Sequence, residues 1–172
     1  MLIWFVASSI AIVWTVFRSP AVDYRTVALG SVLGLVEVPL GAGLFETLLL
    51  SCVALVVVMV ATIGKRLTRR RWLGVPIGMF LHLVVNGSWT DESVFWWPFR
   101  SAGLYRTTSL VVERGIWSLV LELAGVMIAI WLWSEFGLDD AERRRRFVHT
   151  GQLDREFVRT RPDGGPTGRK AS

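Results

Sequence analysis

The chain is poor in cysteine, and charges are rare inside its long apolar segments. Among 172 residues the single cysteine, Cys52, lies within an apolar run. One thiol excludes a disulfide framework and a thiol metal cluster, and a cysteine in such surroundings is usually a small hydrophobic residue. Met1–Phe17 lacks the basic start and the small-residue cleavage site of a signal peptide, so we expect it to be retained as a helix.

Long apolar runs are the main feature that the sequence does have. Hydrophobic residues make up 52% of the chain. Leu44–Ile63 and Ile116–Trp133 each contain one acidic residue over about the 20 residues that cross a bilayer core. The pattern predicts an all-α integral membrane helical bundle with about five transmembrane helices. Their expected bounds are Leu2–Phe17, Thr26–Leu40, Leu44–Ile63, Leu73–Asn86 and Gly115–Trp133. Gly30 and Gly34 are expected to loosen the second.

The formal net charge of +5 is concentrated beside the apolar runs. Basic clusters at Lys65–Arg71 and Arg143–Arg146 are separated by two predicted spans, so they share one side of the membrane. The positive-inside rule makes that side cytoplasmic, with the N-terminus out and the C-terminus in. We therefore expect a multi-pass membrane protein. The expected partners are membrane lipids, with anionic headgroups at the basic loop and tail, and a membrane protein, but not nucleic acid.

The composition changes after Leu138. Residues 1–138 are interpreted as the transmembrane domain, and residues 139–172 as a basic cytoplasmic tail that is largely disordered. Within this tail Asp139 and Asp140 can cap a short helix over Ala141–Val148.

Ionisable residues within the predicted spans are the candidates for function, because such groups are costly in a membrane. Glu37, Glu46, His82 and Glu122 lie on four different spans at a similar depth, toward the outer face. His82 and Asn86 share a helix face, and Asp91 follows at the mouth. Imidazole with carboxylates suits a divalent metal such as zinc or manganese. His82, Glu37, Glu46 and Asp91 are thus the candidate ligands, with His82 and Glu122 as candidate catalytic groups. Ordinary polar packing between helices is the alternative.

Four stretches of the sequence resemble the YdjM-like family. They are Leu29–Glu37 (LGSVLGLVE), Phe45–Leu50 (FETLLL), Gly78–Trp89 (GMFLHLVVNGSW) and Phe95–Pro98 (FWWP). The resemblance implies a bacterial inner-membrane protein of a family predicted to be metal-dependent hydrolases, acting here on a lipid or envelope precursor. His82 matches the family pattern in full.

This chain departs from the family pattern at three places. The family typically has a Pro-Asp-x-Asp-like stretch where this chain has Gly34–Glu37, a His-Ser/Thr pair where it has Glu46 and Thr47, and an aspartate at Asn86. These losses leave open a second function, a non-catalytic membrane subunit or scaffold with a degenerate polar site. A third, a transporter with a proton relay through Glu37, His82 and Glu122, is disfavoured by the absence of a repeat.

Overall fold

A computed structural model describes residues 1–19, 22–36, 45–90, 95–99 and 115–153. Within these ranges the chain forms α-helices, turns and one short 3₁₀ turn, Ser88–Thr90, without any β-strand. The all-α prediction is confirmed. The helices are α1 (Leu2–Phe17), α2 (Tyr24–Val36), α3 (Leu48–Ala61), α4 (Arg66–Trp72), α5 (Gly74–Asn86), α6 (Trp117–Glu135) and α7 (Ala141–Thr150).

The helix bounds follow local signals in the sequence. Helices α1 and α5 end where the apolar runs end. Helix α3 begins later than expected because Thr47 is its N-cap and accepts a hydrogen bond from the Leu50 N–H at 3.3 Å. Helix α4 was not predicted, since its basic sequence gives no hydropathy signal. Helix α7 begins as expected, with the Asp140 side chain accepting from the Glu142 N–H at 3.0 Å.

The five apolar helices alternate in direction along one axis. Helices α1 and α6 run parallel: Glu122 contacts the start of α1, and the Trp14 indole N–H donates to Glu135 at 3.2 Å near the other end. Helices α2 and α5 also run parallel, because Gly74 lies beside Thr26 and His82 beside Gly34. Helix α3 runs opposite to α5. We call the end that holds His82 and Glu46 the polar end, and the opposite end, with α4 and α7, the basic end.

In the part of the chain that the structure describes, one helix, α6 (Trp117–Glu135), is long and apolar enough to cross a membrane. Of the 18 consecutive residues of this helix that were tested for hydropathy, only 11% are buried inside the protein. Helices α1 and α3 are apolar but shorter.

Helix α7 packs against the basic end of the bundle. The rings of Trp14, Tyr24, Phe136 and Phe147 form a cluster, with centroids 5.2 Å apart for Trp14 and Phe136 and 5.9 Å for Phe136 and Phe147. The Tyr24 N–H donates to the Gly151 carbonyl at 2.9 Å. The described part of the predicted tail, up to Leu153, therefore belongs to the packed structure, and residues from 154 lie outside the described ranges.

Candidate functional site

Helix α5 carries its functional residues on one buried face. Gly74, Gly78, His82 and Asn86 are all buried and follow each other at four-residue spacing. Gly87 then ends the helix in the left-handed conformation, with φ of 75°, which glycine adopts without steric cost. The chain therefore turns immediately after Asn86 and brings Ser88 back to the same end of the helix.

Helix α2 lies against this face with backbone touching backbone. A Cβ added at Gly78 would collide with the Val27 carbonyl oxygen and would lie 3.0 Å from the Gly30 Cα. A Cβ at Gly30 would collide with the Val75 carbonyl in the same way. Glycines at this spacing let helix axes approach more closely than side chains would permit. These glycines therefore form the contact between α2 and α5 and do not loosen α2. Their four-residue spacing on both helices is the sequence pattern that indicates this contact.

His82 is held between α1 and α2. Its side chain is 1% exposed. The imidazole ring lies over Phe5, with centroids 4.3 Å apart and planes 38° from parallel. On the other side it fills the space above Gly34, where any Cβ would collide with the ring. A glycine on α2 and an aromatic ring on α1 thus fix the plane of the only buried imidazole in the described residues.

Glu46 and Asn86 form a buried pair one turn beyond His82. The Asn86 amide donates from Nδ2 to Glu46 Oε1 at 3.2 Å and to the Ser88 hydroxyl at 3.1 Å. Glu46 is 7% exposed and Asn86 is fully buried. Glu46 directly precedes the Thr47 cap of α3, where the positive end of the helix dipole favours a carboxylate. One amide therefore joins the end of α5 to the start of α3.

Glu122 has a different set of partners. Its carboxylate accepts hydrogen bonds from the backbone N–H groups of Ile3 at 3.2 Å and Trp4 at 3.4 Å. It also forms an ion pair with the Met1 amine at 3.1 Å. These contacts satisfy the free donors at the start of α1. Glu122 thus lies at the polar end, but its described contacts are with α1 and not with His82, Glu46 or Asn86.

Two of the four predicted metal ligands can be placed. Glu37 and Asp91 lie outside the described residues. Within the described ranges no group of three or more histidine, cysteine, aspartate or glutamate side chains could hold a metal. The structure places His82 and Glu46 at one end of the bundle, where Asn86, one turn after His82 on α5, donates to Glu46. The ligand set itself stays a prediction.

The sequence did not predict the buried hydroxyl groups of Ser9 and Ser51. Ser9 is fully buried and Ser51 is 4% exposed. Neither hydroxyl has a hydrogen-bond partner among the residues that the structure describes. Both serines interrupt apolar runs. That signal is weak because a helical serine can bond to its own backbone.

The polar end therefore combines a carboxylate, an imidazole, an amide and a hydroxyl in an otherwise apolar bundle. Such groups can bind an ester or phosphate by hydrogen bonds, and the first two can transfer protons. Comparison of the chain with protein-family models, with curated proteins and with solved structures finds no match.

Proposed function

We propose that the chain crosses the bacterial inner membrane five times, through α1, α2, α3, α5 and α6, with its N-terminus out. The alternating helix directions support this proposal, since successive crossings must reverse. So do the apolar side chains that α6 turns outward, with Leu119 66%, Leu123 60% and Met127 69% exposed. An apolar face of this kind requires a lipid or protein neighbour.

The charge distribution gives the same orientation. The arginines of α4 and α7 lie at the basic end, opposite His82 and Glu46. The positive-inside rule places that end in the cytoplasm, next to anionic headgroups. The polar end then faces outward.

Our proposed function is that of a YdjM-like membrane hydrolase acting on a lipid or envelope precursor. The observation that carries it is the buried Glu46–Asn86 pair beside His82. Buried ionisable groups in a membrane bundle are costly and mark functional sites by default. In this proposal Asn86 orients the Glu46 carboxylate, and the clamp of Phe5 and Gly34 orients His82. Glu46 accepts a proton from water or substrate, and Ser88 donates a hydrogen bond to the bound headgroup.

The resemblance to the YdjM-like family implies a metal, and a divalent metal such as zinc or manganese would suit an imidazole with carboxylates and would supply an activated water when bound. The described residues fit such a centre incompletely. His82 and Glu46 provide two ligands, whereas a catalytic site of this type has three from the protein. In addition, one Glu46 oxygen already accepts from Asn86. The proposal therefore requires a third ligand, for which Glu37 and Asp91 are the candidates.

Metal uptake tests the hydrolase proposal. The protein in detergent is stripped with a chelator, loaded with Zn²⁺ or Mn²⁺, and the bound metal measured by mass spectrometry. We expect the wild type to retain metal and His82→Ala to bind it at least about tenfold more weakly, since loss of even a supporting group costs ~10–100-fold. His149→Ala is the matched control, because this exposed histidine on α7 is the only other one in the chain. A wild type that retains no metal under any loading condition contradicts the hydrolase proposal.

A non-catalytic membrane subunit is the second candidate function. The observation that favours it is helix α7, which is anchored through Phe147 while Arg144 and Arg145 are exposed. The Arg25 side chain also donates to the His149 carbonyl at 2.9 Å and holds the end of this helix. The bundle thus presents a fixed basic surface, which suits an acidic partner.

Charge reversal tests the subunit hypothesis better than deletion, because deleting residues 139–172 would also remove Phe147 and Leu153 from the core. We expect Arg144→Glu/Arg145→Glu to remove a stoichiometric acidic partner from the protein purified in mild detergent. His82→Ala should leave that partner bound. Equal recovery of partner with the charge-reversed variant would exclude a role for this surface.

A further inference from the structure

An apolar groove runs between α1, α3 and α5, separate from the polar cluster. Its volume is about 390 Å³. The lining includes Ile12 and Val16 of α1, Leu55 of α3, and Ile77 and Phe80 of α5. This volume falls at the lower end of the range of ~300–1,000 Å³ that is typical of small-molecule sites.

Among the described residues that line this groove, Ser51 is the one that carries a hydroxyl. It lines the groove and is 4% exposed, and its Oγ has no hydrogen-bond partner among the described residues. A buried donor is costly when it stays unpaired. An apolar occupant with a single acceptor next to Ser51 would satisfy it.

The position of Ser51 relates the groove to the polar end. Ser51 follows Thr47 by one helical turn and Glu46 by five residues. Five residues correspond to about 7.5 Å along a helix at 1.5 Å per residue. In order from the polar end lie Glu46 and Asn86, which do not line the groove, then the Ser51 hydroxyl, and then the apolar side chains of the described lining. A phospholipid has its groups in this order, with the headgroup first, the ester carbonyl next and the acyl chain last.

We propose that the groove binds one acyl chain of a phospholipid from the surrounding bilayer, with its ester carbonyl accepting a hydrogen bond from Ser51. This inference rests on the proposed membrane placement, and it names a class of molecule whose headgroup would lie toward the polar end. The faces beside the groove are apolar and exposed, with Val16 67% and Val56 59% exposed, so a chain can enter sideways from lipid.

Photocross-linking in a bilayer tests the groove. The full chain is reconstituted with a phosphatidylcholine that carries a diazirine midway along one acyl chain, irradiated, and its adducts mapped by peptide mass spectrometry. We expect adducts concentrated on the α3 and α5 residues that line the groove. Leu55→Trp should fill the groove and remove them. Val57→Trp is the matched control, because Val57 is on the same helix, 57% exposed and outside the groove.

Ser51→Ala gives a second test that does not alter the shape of the groove. Loss of one hydrogen bond should lower adduct yield about fivefold. Adducts spread evenly over the exposed faces of α3 and α6, and unchanged in Leu55→Trp and Ser51→Ala, would overturn the proposal. The readout needs neither metal nor hydrolysis. Retained metal without groove adducts would refute the groove alone, and groove adducts without metal would refute the hydrolase alone.

Discussion

Replacing Gly78 by leucine should leave no folded protein in detergent, and even alanine should be strongly destabilising. Any Cβ at this position meets the Val27 carbonyl and lies 2.9 Å from the Ser31 N–H nitrogen. These are backbone atoms, so relief requires α2 and α5 to separate along their whole interface. Overpacking of a core costs ~1–3 kcal/mol, and at the upper end Gly78→Ala would lower Tm by roughly 6–12 °C.

The sign of the Tm change in Gly78→Ala shows whether α2 and α5 are in close contact at this position. Alanine is favoured over glycine by ~1 kcal/mol in a free helix, so an unpacked face would become more stable on substitution. Thermal unfolding of the detergent-purified protein, followed by its tryptophan fluorescence, makes the measurement. Val84→Ile adds one carbon to the exposed face of the same helix and should leave Tm nearly unchanged. A higher Tm for Gly78→Ala would show that α2 and α5 do not pack in this way.

Asn86→Asp should be the most damaging substitution at the polar end. It replaces the Nδ2 donor, 3.2 Å from Glu46, with a second carboxylate oxygen in a buried setting. Like charges at this distance, away from water, repel strongly. Glu46→Gln/Asn86→Asp exchanges donor and acceptor and should restore most of the lost Tm. Failure of this exchange to rescue the protein would mean that the two side chains do not form the bond.

A second double variant connects this pair to metal chemistry. The YdjM-like pattern has histidine and aspartate at the positions of Glu46 and Asn86. Glu46→His/Asn86→Asp should therefore regain the Tm that Asn86→Asp alone loses. It should also place a second imidazole and a carboxylate beside His82, and zinc prefers such a set of ligands. We expect it to bind Zn²⁺ at least about tenfold more tightly than wild type, as a gained ligand can provide. Glu46→Gln/Asn86→Asp, stable but without the imidazole, is the control. Equal zinc binding by both double variants would contradict this account.

The elements that local sequence determines were predictable. Helix α1 coincides with its apolar run, and α5 lies within the predicted fourth span. Helix α7 follows from its Asp140 cap. These features depend on residues within a turn or two of each other. Helix α4 escaped prediction because a short basic helix has no apolar period to reveal it.

The partners of each buried group were less predictable. Hydropathy gives the depth of a side chain in the membrane but not the direction in which it points. Glu46 and Glu122 have similar predicted depths, yet Glu46 meets Asn86 whereas Glu122 meets the start of α1. The choice depends on how α1 packs against α6, through contacts between residues 119 positions apart in the chain. The spacing of the glycines on α2 and α5 is sufficient to infer that these two helices pair. It does not indicate which glycine of α2 lies opposite which glycine of α5.

The parallel pairing of α1 with α6 also determines the order in which the protein can be assembled. Helix α1 is synthesised before α6, but Glu122, which binds the N–H groups and the amine at the start of α1, follows Ile3 by 119 residues. Phe147 and Leu153, which close the basic end, come later still. Because contacts distant in sequence form slowly, the start of α1 stays without these protein partners until α6 has been made. Individual helices can therefore form one by one, whereas the native bundle forms only after α6 and α7 have been synthesised.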